Sequence, residues 1–321
     1  MGAETNIEWC DSTFNPFIGC TKVSPGCDST SAANWRKPVQ WNAQAEAFHV
    51  RHGRRQRVFC ASLADVFDNA VPIEWLRDLC SLIEQTPNLD WQLLTKRIGN
   101  VFERLIQARS HDWLAGQRNV WLGATIVNQE EADRDIPKLL RTPAHRRFLS
   151  MEPLLGPVDL QKACTIRCPN GNCFAHGSGH RVVVDSENGG IWVECICSRL
   201  NGLHWVIVGG ESGPGARPMH PDWVRSLRDQ CQAAGTPFFF KQHGEWVERD
   251  TGVSTPLVVR EGDPEFEQQL AAHDGFISGE GHFVTNPDLM EERRAYRGLL
   301  RVGKKAAGRL LDGREWNEVP R

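Results

Sequence analysis

Tyrosine is almost missing from this chain, at one residue in 321 against twelve tryptophans. That bias has no physical reading. Long apolar runs are also missing. No stretch reaches the roughly 18 apolar residues that a membrane-spanning helix needs, so no membrane role is expected. The opening residues, MGAETNIEWCD, carry acids and no apolar core, unlike an export signal. A surplus of positive charge is absent too. The net charge of −3 argues against bulk attraction to nucleic acid, although a local basic groove stays open. Neither HExxH nor GxSxG occurs, which removes the common signatures of zinc peptidases and serine hydrolases. What is present suits a folded protein: 40% apolar residues supply a core, and 24% charged residues are too few for a disordered chain.

Short apolar runs recur along the chain, at Arg57–Ser62, Trp91–Thr95, Val120–Ile126, Arg147–Met151, His204–Gly209 and Pro237–Lys241. They show little polar alternation, as strands buried on both faces of a parallel sheet do. Helical patterns lie between them. Pro72 opens one and Pro87 closes it. Pro221 opens another, which Gly235 stops, and Asn128 is placed to cap a third. An apolar segment over residues 7–18 precedes the first unit. The spacing predicts an α/β fold, a complete or partial (β/α) barrel, with an open doubly wound sheet as the alternative. The expected organisation is barrel over 1–161, a cysteine-rich insertion over 162–202, the last βα units over 203–246, and a C-terminal extension over 247–321. Within that extension, residues 247–283 read as loop-rich. The tail EERRAYRGLLRVGKKAAGRLLDG reads as a basic amphipathic helix that breaks at Gly303 or Gly308.

Chemistry in such folds gathers beyond the C-terminal ends of the strands. The residues there are polar: Asp65, then Thr95, Lys96 and Arg97, then Asn128 and Gln129, Glu152, the run Gly209, Gly210, Glu211, Ser212 and Gly213, and finally Lys241 and Gln242. Lys96, Glu152, Glu211 and Lys241 are expected to converge on one mouth suited to a polar, zwitterionic or phosphorylated ligand. The glycines around Glu211 allow a close backbone approach, and Glu211 is placed to receive an ammonium group.

Eleven cysteines without an export signal predict a cytoplasmic protein with few disulfides. Cys60, Cys80 and Cys231 read as small buried hydrophobes. In the insertion, Cys168 and Cys173 precede a Val/Ile-rich stretch, and Cys195 and Cys197 follow it, with a hairpin expected around Asn188–Gly190. Four soft ligands on two turns suit a structural zinc, with His176 or His180 in reserve. A second iron–sulfur site and unmetallated thiols are the alternatives.

NIEWCDSTFNPFIGCTKVSPGC, SLADVFDN, WQLLTKR, FLSMEPLLGP, HWVIVGGESGPGARPMHPDW, FFFKQHGEW and VGKKAAGRLLDGREWNE together resemble the phage protein family named after gp thirty-seven and gp sixty-eight. The resemblance covers nearly the whole chain outside the insertion and the acidic loop. That family is similar to radical S-adenosylmethionine enzymes and carries a C-x6-C-x2-C loop followed by an aromatic residue. The resemblance implies a [4Fe–4S] cluster held by Cys20 and Cys27, and S-adenosylmethionine held by Gly209, Gly210, Glu211, Ser212 and Gly213. It leaves Lys96, Glu152 and Lys241 facing an undefined substrate as catalytic candidates. The chain departs from the pattern at its most informative point. Thr30 stands where the third cysteine belongs, followed by Ser31, and a stretch is missing before SAANWRKPVQWN. Threonine is a poor iron ligand beside thiolates, so a cluster is expected to bind weakly or not at all. Cys10 is the one nearby substitute. The competing reading is a nucleic-acid-binding or phage-interaction protein. It rests on the basic stretch His49–Arg57, on the C-terminal arginines and lysines, and on Trp35 and Trp41 as stacking surfaces.

Overall fold

The computed structural model describes residues 5, 7–17, 30–110, 112–164, 167–169, 180–184, 191–195, 200, 202–248, 257–258, 273–286, 289–291 and 295–320. For residues 167–169, 180–184, 191–195 and 257–258 it describes the backbone alone. The strands of the first half are β1 (Ser12–Phe14), β2 (Gln56–Cys60), β3 (Leu89–Thr95), β4 (Val120–Thr125) and β5 (Arg146–Met151). The insertion adds β6 (Arg167–Pro169), β7 (His180–Val184) and β8 (Ile191–Cys195). Then come β9 (Trp205–Gly209), β10 (Phe238–Gln242), β11 (Trp246–Glu248), β12 (Leu257–Val258), β13 (Gly275–Ser278), β14 (Phe283–Val284) and β15 (Ala295–Arg301). The helices are α1 (Ala32–Ala43), α2 (Ala45–His52), α3 (Ile73–Gln85), α4 (Val101–Ala108), α5 (Trp113–Gly116), α6 (Gln129–Arg141), α7 (Leu160–Cys164) and α8 (Pro221–Ala234).

Seven strands form one parallel sheet in the order β1-β2-β3-β4-β5-β9-β10, curled into a half-barrel flanked by helices. All six expected strands are in it. Every residue of β2, β4 and β9 is buried, which is why these runs carry so little alternation. The helix signals also act as expected. The Asn128 side chain accepts from the Glu131 amide at 3.0 Å, while the Glu131 carboxylate accepts from the Val127 amide at 3.0 Å. His220 caps α8 by accepting from the Asp222 amide, Pro221 begins the helix, and Gly235 ends it with φ +66. Cys60, Cys80 and Cys231 are buried with no disulfide. Burial pushes the Cys60 thiol up, and that of Cys80 up to about 12, so both are inert packing groups. Among the described residues no helix is long and apolar enough to cross a membrane.

The contacts divide the chain into two compact units. One holds Met1–Thr125, Arg134–Ser150 and Cys164–His204, and the other holds Ile126–Asp133, Met151–Ala163 and Trp205–Arg321. In the first, the insertion makes its own antiparallel sheet in the order β6-β8-β7, with β7 and β8 paired from Val184 opposite Ile191 to His180 opposite Cys195. The expected hairpin turn lies outside the described residues.

The second unit corrects one expectation. The tail is not an amphipathic helix. Residues 295–301 form the strand β15, which pairs with β11, β12 and β13, and only one helical turn follows, over Lys304–Ala307. Tyr296 and Leu299 fill the core of this sheet, and three neighbouring strands satisfy the backbone of β15 more fully than a lone helix could. The helical pattern of the charges is overridden by tertiary pairing. Within residues 247–283, the described strands β11, β12, β13 and β14 lie wholly or in part. Beyond it, the final residues lie along β10. Phe240 donates to the Trp316 carbonyl at 2.9 Å, and Glu318 donates to the Phe238 carbonyl at 3.2 Å. The REWNE motif thus covers an open edge of the parallel sheet.

Candidate functional site

In the first unit, the ends of β2 and β3 are tied by one buried carboxylate. Asp65 accepts from the Thr95 hydroxyl at 2.9 Å, the Phe67 amide at 3.0 Å and the Lys96 amide at 2.9 Å, and the Arg97 guanidinium lies 3.5 Å away. Arg97 also meets Asp68 at 3.1 Å. Lys96 contributes its backbone to this knot, and its side chain is exposed.

Cys20 and Cys27 lie outside the described residues, but both shoulders of their loop are defined. The loop leaves β1 through Asn15 and Phe17, and it returns at Thr30 and Ser31. The Thr30 amide donates to the Pro16 carbonyl at 3.0 Å, and its hydroxyl donates to the Asn15 carbonyl at 2.8 Å. That hydroxyl also accepts from the Asn34 side chain at 2.9 Å. Ser31 then caps α1. The residue at the third-cysteine position therefore acts as a clasp at the base of the loop, with its oxygen engaged. Cys10 is buried, with its sulfur 3.8 Å from the Ile7 carbonyl. An open groove of about 800 Å³ begins at Thr30 and runs between α1 and α3, past Trp35, Arg36, Gln40 and Asp78.

The second unit brings Glu152 and Lys241 together. The lysine Nζ stands 3.2 Å from Oε2 of the carboxylate, and the two side chains are 21% and 15% exposed. Two backbone bonds hold the Glu152 loop: Leu154 donates to the Gly209 carbonyl at 3.0 Å, and Leu155 donates to Val127 at 2.8 Å. The glycines at the end of β9 explain the fit. A Cβ on Gly209 would stand 2.6 Å from Glu152 Oε1, and one on Gly210 only 1.9 Å from the His243 carbonyl oxygen. The close backbone approach inferred from these glycines is therefore made by the protein's own Glu152 and by the loop after β10. The two loops are laced together, Gly210 donating to Gln242 at 2.9 Å and Glu245 donating to Glu211 at 3.1 Å.

Glu211 already has a cation. Arg217 binds its carboxylate through two side-chain bonds of 2.8 and 2.9 Å and one backbone bond of 2.8 Å. Those hydrogen bonds hold the Glu211 carboxyl down at about 2. The group lowering it is Arg217, six residues on within the same motif, and only the turn between them brings the two together. Gly213 donates to the Glu245 carboxylate at 3.0 Å, and Ser212 is exposed.

Of the metal candidates in the insertion, Cys168 is in β6, opposite Val193, and Cys195 ends β8 two residues further on, both in the same small sheet. Cys173, Cys197 and His176 lie outside the described residues. Among the described residues no group of three or more His, Cys, Asp or Glu is placed to hold a metal ion. The stacking candidates sit in packing positions: Trp41 is buried, and Trp35 meets the Phe14 ring edge-on at 5.3 Å. Of the basic stretch, His49, Arg51 and His52 are exposed. Arg54 binds Asp11 through both guanidinium nitrogens, and Arg57 is buried.

Neither the curated proteins nor the solved structures include a significant match to the chain. A family model does match it, in two segments over residues 4–35 and 28–320, which overlap just after Cys27. With nearly its whole length matched, the chain belongs to the family described as protein of unknown function, DUF5131.

Proposed function

We propose that this chain is a cytoplasmic, phage-related relative of radical S-adenosylmethionine enzymes. On this reading its half-barrel keeps a site for a small polar molecule but lacks a working [4Fe–4S] site. The observation that carries the reading is the seat of Thr30. A cluster of this type needs three thiolates, whereas Cys20 and Cys27 supply two, and the Thr30 hydroxyl is engaged with Asn15 and Asn34. The residues present do not fit the cluster, so no radical step is derived. The family match is interrupted at the same place, its two segments overlapping over residues 28–35. Glu211, bound by Arg217, is likewise a poor receptor for the ammonium group of S-adenosylmethionine.

The polar site rests on Glu152 and Lys241. A half-buried ion pair can exchange partners with a zwitterion, the lysine taking its carboxylate and the glutamate its ammonium group. Lys96, exposed in the first unit, is the third candidate for substrate contact, and Gly209 to Gly213 shape the backbone beside the pair. We assign a structural zinc to Cys168, Cys173, Cys195 and Cys197, because the described strands put the first and third of these in one small sheet.

Anaerobic reconstitution with iron and sulfide tests the cluster reading. Little iron should be retained, and the broad absorption near 400 nm should be absent, until a full-length loop with a third cysteine is restored. Four irons per chain with cleavage of S-adenosylmethionine would overturn it. Elemental analysis of the chain purified without added metal should find one zinc, and loss of that zinc on replacing Cys168 and Cys195 by serine would support the assignment.

A further inference from the structure

The first unit carries a second polar cluster, on the face of its strands turned away from the helices. The register places Phe59, Gln92, Trp121 and Arg146 side by side across β2, β3, β4 and β5, with Arg57 beside Asp90 two residues earlier. Neighbours in a parallel register share a face. The other face meets the helices. There the Trp91 indole donates to Thr86 at the end of α3, and the Arg147 guanidinium donates to the Leu139 and Thr142 carbonyls at the end of α6. Arg57, Asp90, Trp121 and Arg146 each occupy the first or second position of their strands.

Two groups in this cluster are buried without direct partners among the described residues. The Gln92 side chain is 0% exposed, and neither its amide nitrogen nor its oxygen has a hydrogen bond. Arg57 is 7% exposed, and among the described residues its guanidinium makes no hydrogen bond and no ion pair, while its nitrogens keep a narrow contact with solvent. It lies 5.6 Å from the centre of the Trp121 ring, which Arg146 approaches at 4.8 Å. The two carboxylates that act on Arg57 have other cations. Asp11 is bound by Arg54 at 2.6 and 2.7 Å, and Asp90 faces Arg55 at 3.8 Å. Burial and the charge of Arg54 lower Arg57 to about 10, with Asp11 and Asp90 opposing the shift. A buried amide can be satisfied by water, but water does not neutralise a buried charge.

We propose that Arg57 and Gln92, with Trp121 and Arg146 around them, form a binding site for a small oxyanion, either a free ion or the anionic group of a small molecule. An oxyanion supplies the missing countercharge to Arg57 and an acceptor for the Gln92 amide, and an arginine backed by an aromatic face is well suited to it. The site is independent of the Glu152–Lys241 pair.

The test uses the full chain in an anion-poor buffer, titrated separately with inorganic phosphate and with acetate while the unfolding midpoint is followed. A saturable rise with either ion supports the proposal, and the ion acting at lower concentration sets the class. Arg57→Met should weaken that response at least about tenfold. Without added anion, Arg57→Met and Gln92→Leu should each unfold at a higher midpoint than the parent, since each removes an unpaired buried group. Phosphorus NMR of inorganic phosphate with the unaltered chain gives a readout that needs no variant, through line broadening that acetate or phosphate in excess reverses. A midpoint and a line width indifferent to both ions would overturn the proposal. So would an undiminished response in Arg57→Met.

Discussion

The two ends of the parallel strands differ in how their charges are balanced. At the C-terminal ends, each conspicuous carboxylate has its own cation or donor: Asp65 has Thr95 and Arg97, Glu152 has Lys241, and Glu211 has Arg217. Near the start of β2 and at the middle of β3, Arg57 and Gln92 are buried without hydrogen bonds from their side chains among the described residues, and both polar atoms of the Gln92 amide are sealed from solvent. Folds of this kind usually place chemistry at the first end and stability at the second. Here the carboxylates at the first end are engaged by the fold's own groups, although Gln242 Oε1 there is buried without a hydrogen bond among the described residues. Polar residues beyond a strand are therefore not functional by position alone, because a fold also needs them to fasten one loop to the next. The more informative sign is a buried polar group that the fold leaves unmatched.

The sharpest way to break this comparison is at Gly210. Gly210→Ala would drive a Cβ into the His243 carbonyl, and backbone cannot yield as a side chain does. A loss of about 3 kcal/mol or more is expected in chemical denaturation. Gly213→Ala is the control. Gly213 has φ +102 and open space around it, so a loss of only about 1 kcal/mol is expected there. Equal losses would mean that the two laced loops are not a rigid support for Glu152.

Next in size is Lys241→Met, which leaves the Glu152 carboxylate half-buried without its lysine. A loss of about 1.5–3 kcal/mol is expected, and Glu152→Gln in the same chain should recover part of it. Full additivity of the two changes would show that the pair carries little energy.

Arg57→Met and Gln92→Leu sharpen the contrast from the other end, with an expected gain of about 1 kcal/mol each in the anion-free chain. A stabilising substitution in a core is uncommon, so the sign alone is diagnostic.

The smallest effect is that of pH. Burial lowers the pKa of His204, His220 and His243 below the ordinary histidine value. A histidine depressed in the folded state favours folding fully above its unfolded pKa of about 6.5, and that contribution is lost as pH falls below it. The unfolding midpoint should therefore drop between about pH 7 and pH 5. His220→Asn, which keeps an N-capping side chain without a titrating ring, should flatten the slope. A midpoint that rises on acidification would contradict this.

Much of the parallel sheet was legible because burial on both faces demands uninterrupted apolar runs. Arg57–Ser62, Trp91–Thr95 and Val120–Ile126 could hardly be read otherwise. Pro221 and Gly235 marked α8 because their backbone preferences act locally. The tail misled because its charges repeat at helical spacing, whereas Tyr296 and Leu299, the two residues that decide, are buried by strands distant in sequence. The candidate site was legible as a set of residues and not as a set of pairs. Glu152 and Lys241 were both singled out, yet nothing in the chain order joins residues 89 positions apart.

What the sequence determined by itself was local: where strands and helices begin and end, which cysteines are packing groups, and that position 30 offers a hydroxyl where a thiolate is needed. Only the tertiary structure decided the pairings. It gave Glu211 to Arg217, filled the space beside Gly209 and Gly210 with the protein's own atoms, and set Arg57 and Gln92 on the face of their strands turned away from the helices. The physical reason is that composition and periodicity record whether a residue suits burial. Whether a buried charge finds a partner depends on which strands the sheet sets side by side.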